Sequence, residues 1–153
     1  MDGETNYKKE VYMPQLKDAE EYQDFVCINL IKKGIVLSNM SSKKYQFEVG
    51  ETLQGFEIKN DKIFRNSNNL YIEYEEKSDP IRKYYVKSGI LRHDNTWIYA
   101  IGDYEGMYLM QKKVLIAMYK KNKFKTVETK TSRGMLLPVA EANKYFDYIK
   151  FKQ

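Results

Sequence analysis

Apolar side chains recur at helical spacing early in the chain, at Tyr22, Phe25, Val26, Ile28 and Ile31. Asp18 is a suitable N-cap and Gly34 a natural stop, so the pattern predicts a first helix over 18–33. Polar residues 1–15, closed by Pro14, read as a loose arm, with one folded unit over 16–153. Tyr45, Phe47 and Val49 alternate with polar residues, which predicts a strand before Gly50. Two further alternating runs follow, Phe56 to Lys59 and Leu70 to Lys77, joined by Asn60, Asp61, Asn66, Ser67 and Asn68. Turn residues between two strand patterns predict a hairpin. Asp79-Pro80 resembles a helix start, giving a short helix over 81–87. Strands are expected over 96–101, with Trp97 inside, over 107–110 and over 135–137. A helix is expected over 111–121 with Val114, Leu115 and Met118 inward, and a last helix over 139–151. Residues 124–131 read as a basic connector. The order of elements predicts an α+β fold, a mixed central β-sheet flanked by helices.

Composition narrows the function classes. The hydrophobic share of 42% is enough for a core, which excludes a disordered chain. A single cysteine, Cys27, and a single histidine, His93, exclude an internal disulfide framework and a Cys/His zinc cluster. Cys27 sits in an apolar run and reads as a small buried side chain, whereas His93 falls in a turn. No apolar run reaches the length of a membrane span and the first residues lack a signal-peptide core, so a soluble cytoplasmic protein is expected. The net charge of +5 favours a polyanionic partner.

Candidate chemistry lies in the two alternating runs. Glu57 and Lys59 share one strand face, and Glu73, Glu75 and Lys77 share another; a hairpin would bring them together. Gathered carboxylates repel one another unless a cation sits among them or some are protonated. The same spacing also suits a solvated sheet face carrying cross-strand Glu–Lys pairs. Glu21 on the first helix lies in phase with Phe25 and Ile28, which predicts a position on or near the buried side.

In this order the motifs resemble the PD-(D/E)xK phosphodiesterase superfamily, whose fold is restriction-endonuclease-like. Small phage-borne proteins with similar Gly-x-Glu-Ile-Lys and Leu-Tyr-Ile-Glu runs share the pattern. The resemblance covers roughly residues 18–138. It implies an acidic residue on the first helix, Glu21, one on a strand, Glu57, and an acidic-x-Lys motif on the adjacent strand, Glu75-Glu76-Lys77. Two other registers are open. Glu73 competes with Glu75, and Glu57-Ile58-Lys59 is itself an acidic-x-Lys triplet with Glu51 six residues before it. The implied activity is Mg²⁺- or Mn²⁺-dependent hydrolysis of DNA, with Glu57, Glu75 and Lys77 catalytic and Glu21, Glu57, Glu73 and Glu75 holding metal. Lys77 would act electrostatically, because adjacent carboxylates keep a lysine protonated. Lys59, Lys112, Lys113, Lys130 and Arg133 would face the nucleic acid, and cutting both strands of a duplex would favour a homodimer. The alternatives are an inactive relative serving as a nucleic-acid-binding accessory module, and a protein-interaction adaptor using the tyrosine-rich sheet.

Overall fold

The computed structural model describes residues 13–151. Helix α1 (Met13–Ile31) is followed by α2 (Lys43–Glu48), β1 (Phe56–Asn60), α3 (Phe64–Ser67), β2 (Asn69–Glu76) and β3 (Val86–Lys87). After a 3₁₀ turn (Gly89–Leu91) come β4 (Ile98–Gly102), β5 (Gly106–Gln111), α4 (Lys112–Lys120), β6 (Thr126–Glu128), β7 (Ser132–Pro138), α5 (Val139–Tyr145) and β8 (Asp147–Lys150). The fold is α+β, but the strands form two four-stranded sheets rather than one central sheet. Their orders are β1-β4-β5-β8 and β3-β2-β7-β6. The first sheet is mixed, since β1 runs parallel to β4 and the other neighbours are antiparallel. The second is antiparallel throughout.

Alternation along β4 explains how the first sheet is sandwiched. Ala100 faces α1 in a cluster with Tyr22, Val26, Leu30, Ile58 and Met107. Tyr99 and Ile101 face the other way, into a larger core with Leu70, Ile72, Tyr74, Met135 and Leu137 of the second sheet. Burying that many aliphatic side chains, at ~1.5–3 kcal/mol each, is the main force holding the sheets together.

Several expectations are corrected. No hairpin joins the two carboxylate runs: β1 and β2 belong to different sheets. Residues 13–15, expected in the arm, form the first turn of α1, where proline is tolerated because its missing N–H has no helical partner; residues 1–12 lie outside the described residues. The buried stripe of α1 is Tyr22, Val26 and Leu30, at intervals of four, so Ile28 at 57% exposure and Ile31 fall on the solvent side. Residues 43–48 are helical, nucleated by Ser42, whose hydroxyl accepts from the Tyr45 N–H at 3.3 Å. Residues 81–87 form no helix. Asp79 does accept from the Ile81 and Arg82 N–H groups at 2.8 and 3.2 Å, but the chain then extends into β3. Trp97 precedes β4 and is exposed, its indole N–H donating to the Gln54 carbonyl at 2.8 Å. The connector over 124–131 contains β6, and the last helix stops at Tyr145 so that β8 can pair with β5. Cys27 is half-buried beside Asn39 rather than in the core.

Candidate active site

The site is built first by the segment entering β1. Thr52 is fully buried; its hydroxyl accepts from the Phe56 N–H and donates to the Phe56 carbonyl, both at 2.8 Å. The Glu51 carbonyl accepts from the Met40 N–H at 2.9 Å. These bonds fix Glu51 beside the start of β1, where alternation places Glu57 and Lys59 on one face. The Lys59 Nζ then lies 3.1 Å from Glu57 and 3.7 Å from Glu51.

The second sheet supplies Glu73. Its carboxylate accepts from the Ser88 hydroxyl at 2.9 Å, and its charge acts on Lys59. Gly89 makes this approach possible. Its φ is +48°, and a Cβ there would collide with the Glu73 carbonyl. Asp61 locks the two sheets in register: its own N–H donates to Gly102 O at 2.7 Å, and its carboxylate accepts from the Tyr71 N–H at 2.9 Å. Tyr99 stands beside Glu57 in the β1–β4 register, 3% exposed, with its buried hydroxyl under the influence of the Glu57 carboxylate.

Electrostatics follow from this enclosure. The Glu57 carboxylate foremost, then Glu51 and Glu73, hold Lys59 firmly protonated against the cost of desolvation. Burial pushes the Glu51 and Glu73 carboxyls above the usual carboxylate range, with Lys59 opposing in both. Burial, reinforced by the charges of Glu57 and Asp94, raises the Tyr99 phenol. Lys59 has clefts on both sides. One, of about 810 Å³, is lined by Lys59, Glu73, Tyr71, Tyr99, Ile101 and Leu136 among others. The other, of about 480 Å³, runs past Glu51 and Lys59 along the first turns of α1.

The remaining predicted site residues lie elsewhere. Strand β2 keeps its alternation, with Leu70, Ile72 and Tyr74 buried and Glu73 and Glu75 on the other face as expected, but its register against β7 shifts between Glu73 and Glu75 and sets Glu75 opposite Arg133. Glu75 therefore pairs with Arg133 at 3.0 Å and not with the Glu57 cluster. Lys77 lies over the Tyr85 ring, 4.8 Å from its centroid. Glu21 is exposed; the acidic side chains of α1 that line the smaller cleft are Asp18 and Glu20, and Asp18 pairs with Lys62 at 3.1 Å.

Among the expected nucleic-acid contacts, Lys59 is engaged by the carboxylates. Lys112 is mostly buried, donating to Arg92 O at 2.6 Å and pairing with Asp94 at 3.2 Å. Arg133 is shared between Glu75 and Glu128. Lys113 and Lys130 are exposed, as is His93. Sequence reasoning singled out neither Tyr99 nor Ser88 for the site. Tyr99 is legible only as one tyrosine in an apolar strand, and Ser88 only as a polar residue before a glycine.

Among the described residues, no three carboxylate, histidine or cysteine side chains close on one point as a metal-binding group. Glu51 and Glu57 nevertheless offer hard oxygen donors around a single cation position, now taken by the Lys59 ammonium, and Mg²⁺ needs only one or two protein carboxylates when water and phosphate complete its shell. Among the described residues, no helix is long and apolar enough to cross a membrane. No family model matches the chain, and neither the curated proteins nor the solved structures give a match.

Proposed function

We propose that the chain is a divalent-metal-dependent phosphodiester hydrolase acting on DNA, with a restriction-endonuclease-like relationship and a centre at Glu51, Glu57, Lys59 and Glu73. The observation that carries this reading is the sharing of one ammonium, Lys59, by two carboxylates at 3.1 and 3.7 Å between two clefts. It supports the Glu57-Ile58-Lys59 register, with Glu51 upstream, over Glu75-Glu76-Lys77.

Glu51 and Glu57 are the residues that would hold Mg²⁺ or Mn²⁺, which supplies charge neutralisation on the phosphate and acidifies water when bound. Their fit is electrostatic as well as geometric, because a divalent ion relieves the burial that disfavours the Glu51 charge. Lys59 stays protonated and donates to a phosphate oxygen, stabilising charge as it develops. Glu73, pushed toward its protonated form and steadied by Ser88, can hold a proton at the opposite wall. Tyr99 offers a buried O–H to orient a bound oxygen.

One observation favours a second reading, an inactive accessory module: the ammonium itself already neutralises the carboxylates. Titration calorimetry with Mn²⁺, followed by cleavage assays on single-stranded and duplex DNA, decides between them. The hydrolase reading expects binding that Glu57→Gln abolishes, and cleavage that both Glu57→Gln and Lys59→Ala abolish. No metal binding and no cleavage by the wild-type chain would leave the accessory reading.

A further inference from the structure

The segment linking β2 to Ser88 presents three large apolar side chains to solvent within six residues. Ile81 is 74% exposed, Tyr84 83% and Val86 61%. Isolated exposed apolar residues are ordinary, but a run of them marks a contact surface. Interleaved with them are Arg82, Lys83 and Lys87, all exposed. From 77 to 88 the sequence holds four cations and a single carboxylate, Asp79.

The base of this segment is fastened. The Lys77 N–H donates to Thr131 O at 2.8 Å and the Ser88 N–H to Tyr74 O at 3.0 Å. Tyr85 packs inward, with the Arg133 guanidinium 3.9 Å and the Lys77 ammonium 4.8 Å from its ring centroid and its hydroxyl donating to Glu128 at 2.7 Å. Its neighbour Tyr84 is left at the surface. The returning end is Ser88, which holds the Glu73 carboxylate, so the segment is continuous with the candidate site.

We propose that residues 78–87 form a binding arm for single-stranded nucleic acid, with Tyr84 stacking on an unpaired base and Arg82, Lys83 and Lys87 contacting the flanking phosphates. The chemistry selects this occupant. An exposed ring offers a face to any unstacked base but finds none inside a duplex, and cations one, two and three residues away match the charge of a backbone. The arm rests on the hydrolase reading only in that the strand it holds would be delivered to the Glu57–Lys59 clefts.

The test is fluorescence anisotropy of the full chain with a labelled single-stranded oligonucleotide and its duplex, in EDTA so that nothing is cut. Wild type should bind the single strand more tightly than the duplex, with affinity falling as salt rises. Tyr84→Ala should weaken single-strand binding about tenfold, the usual cost of removing one stacked base. Arg82→Ala with Lys83→Ala should weaken it and reduce the salt slope by about 0.7 for each phosphate that is no longer neutralised. Tyr145→Ala, which removes an exposed ring on α5 outside both the arm and the candidate centre, should bind as wild type, which locates the stacking in the arm. If DNA is bound through the arm but never cut with Mn²⁺, the hydrolase reading fails and the arm stands. Equal binding by wild type and Tyr84→Ala, with melting curves showing both folded, overturns the arm even if cleavage is observed. Binding to anionic lipid vesicles without binding to the single strand overturns it as well.

Discussion

The chain spells the same triplet twice, Glu57-Ile58-Lys59 and Glu75-Glu76-Lys77, and folding gives the two opposite fates. The first lies on a regular strand pressed between α1 and the second sheet. Its glutamate is almost fully buried, and its lysine, though 45% exposed, lies within 3.1 and 3.7 Å of Glu57 and Glu51 and feels the charge of Glu73. The second lies at the end of β2, beyond a bulge. Its glutamate is half-buried against Arg133, and its lysine rests on the face of Tyr85. The cations are about equally exposed, so the difference lies in the carboxylates: Glu57 is shielded from water and its charge weakly screened, whereas Glu75 is partly wetted and its pair weakened by water and salt. A motif's residue types thus say little until the strand beneath them is known.

The sharpest way to break this contrast is to remove each lysine in turn. Lys59→Ala should lower Mg²⁺-dependent DNA cleavage by on the order of 100-fold or more, as expected when a charge on the developing phosphate is removed. Lys77→Ala should leave cleavage near wild type. A loss in single-turnover rate with Lys77→Ala and none with Lys59→Ala would assign the chemistry to the second triplet, and equal losses would remove the contrast.

A second test moves the wall that brings Glu73 in. Gly89→Ala should destabilise the fold by about 2–3 kcal/mol in urea unfolding, because its added methyl meets the Glu73 carbonyl at a positive φ. Gly34→Ala should cost less, since φ is again positive but nothing lies within 4 Å of the new carbon.

The third is pH-dependent. Burial raises the folded-state Glu73 carboxyl above its unfolded value, so folding disfavours the ionised form. The resulting instability is present above the folded value and vanishes below the unfolded one. Glu73→Gln should therefore raise the melting temperature at neutral pH. That gain should shrink to nothing as pH falls through the raised value and the wild-type carboxyl takes up its proton. A constant gain at all pH values would locate the effect in packing rather than charge.

The smallest effect is expected at the open triplet. Arg133→Ala removes the exposed partner of Glu75 and Glu128 and should barely shift the urea midpoint. A large shift would mean that the bulged edge is stiffer than its exposure implies.

Much of the architecture was legible where one period dominated. The α4 pattern, the apolar β4 and β5, and β7 ending at Pro138 all stand out in the sequence because their buried positions repeat without competition. Strands β1 and β2 were also legible, but their partners were not: a turn-rich connection suggests a hairpin, and nothing local shows that β1 pairs with β4 across forty residues. The bulge at Tyr74 was equally hidden, since it leaves the alternation of β2 intact while shifting its register against β7. Over 43–48, six residues are too few to separate a helical period from a strand period, and the Ser42 cap decided the outcome. Of the candidate site, Glu57 with Lys59 and the upstream Glu51 could be read as a triplet with an acidic neighbour. The choice of Glu73 over Glu75 required their partners, Ser88 and Lys59 for the one and Arg133 for the other, which come from distant parts of the chain.

The two sheets are sewn through one another along the chain: β2 and β3 interrupt the first sheet, and β4 and β5 interrupt the second. No stretch of nascent chain emerging from a ribosome holds all the strands of one sheet without strands of the other. The first sheet waits for β8, at residues 147–150, before its last edge is covered. Glu57 and Lys59 come from one sheet and Glu73 from the other, so both sheets around the candidate centre are complete only once the chain has been made through β8. Synthesis itself thus imposes a delay, and prematurely terminated chains would carry the charged residues without the geometry that unites them.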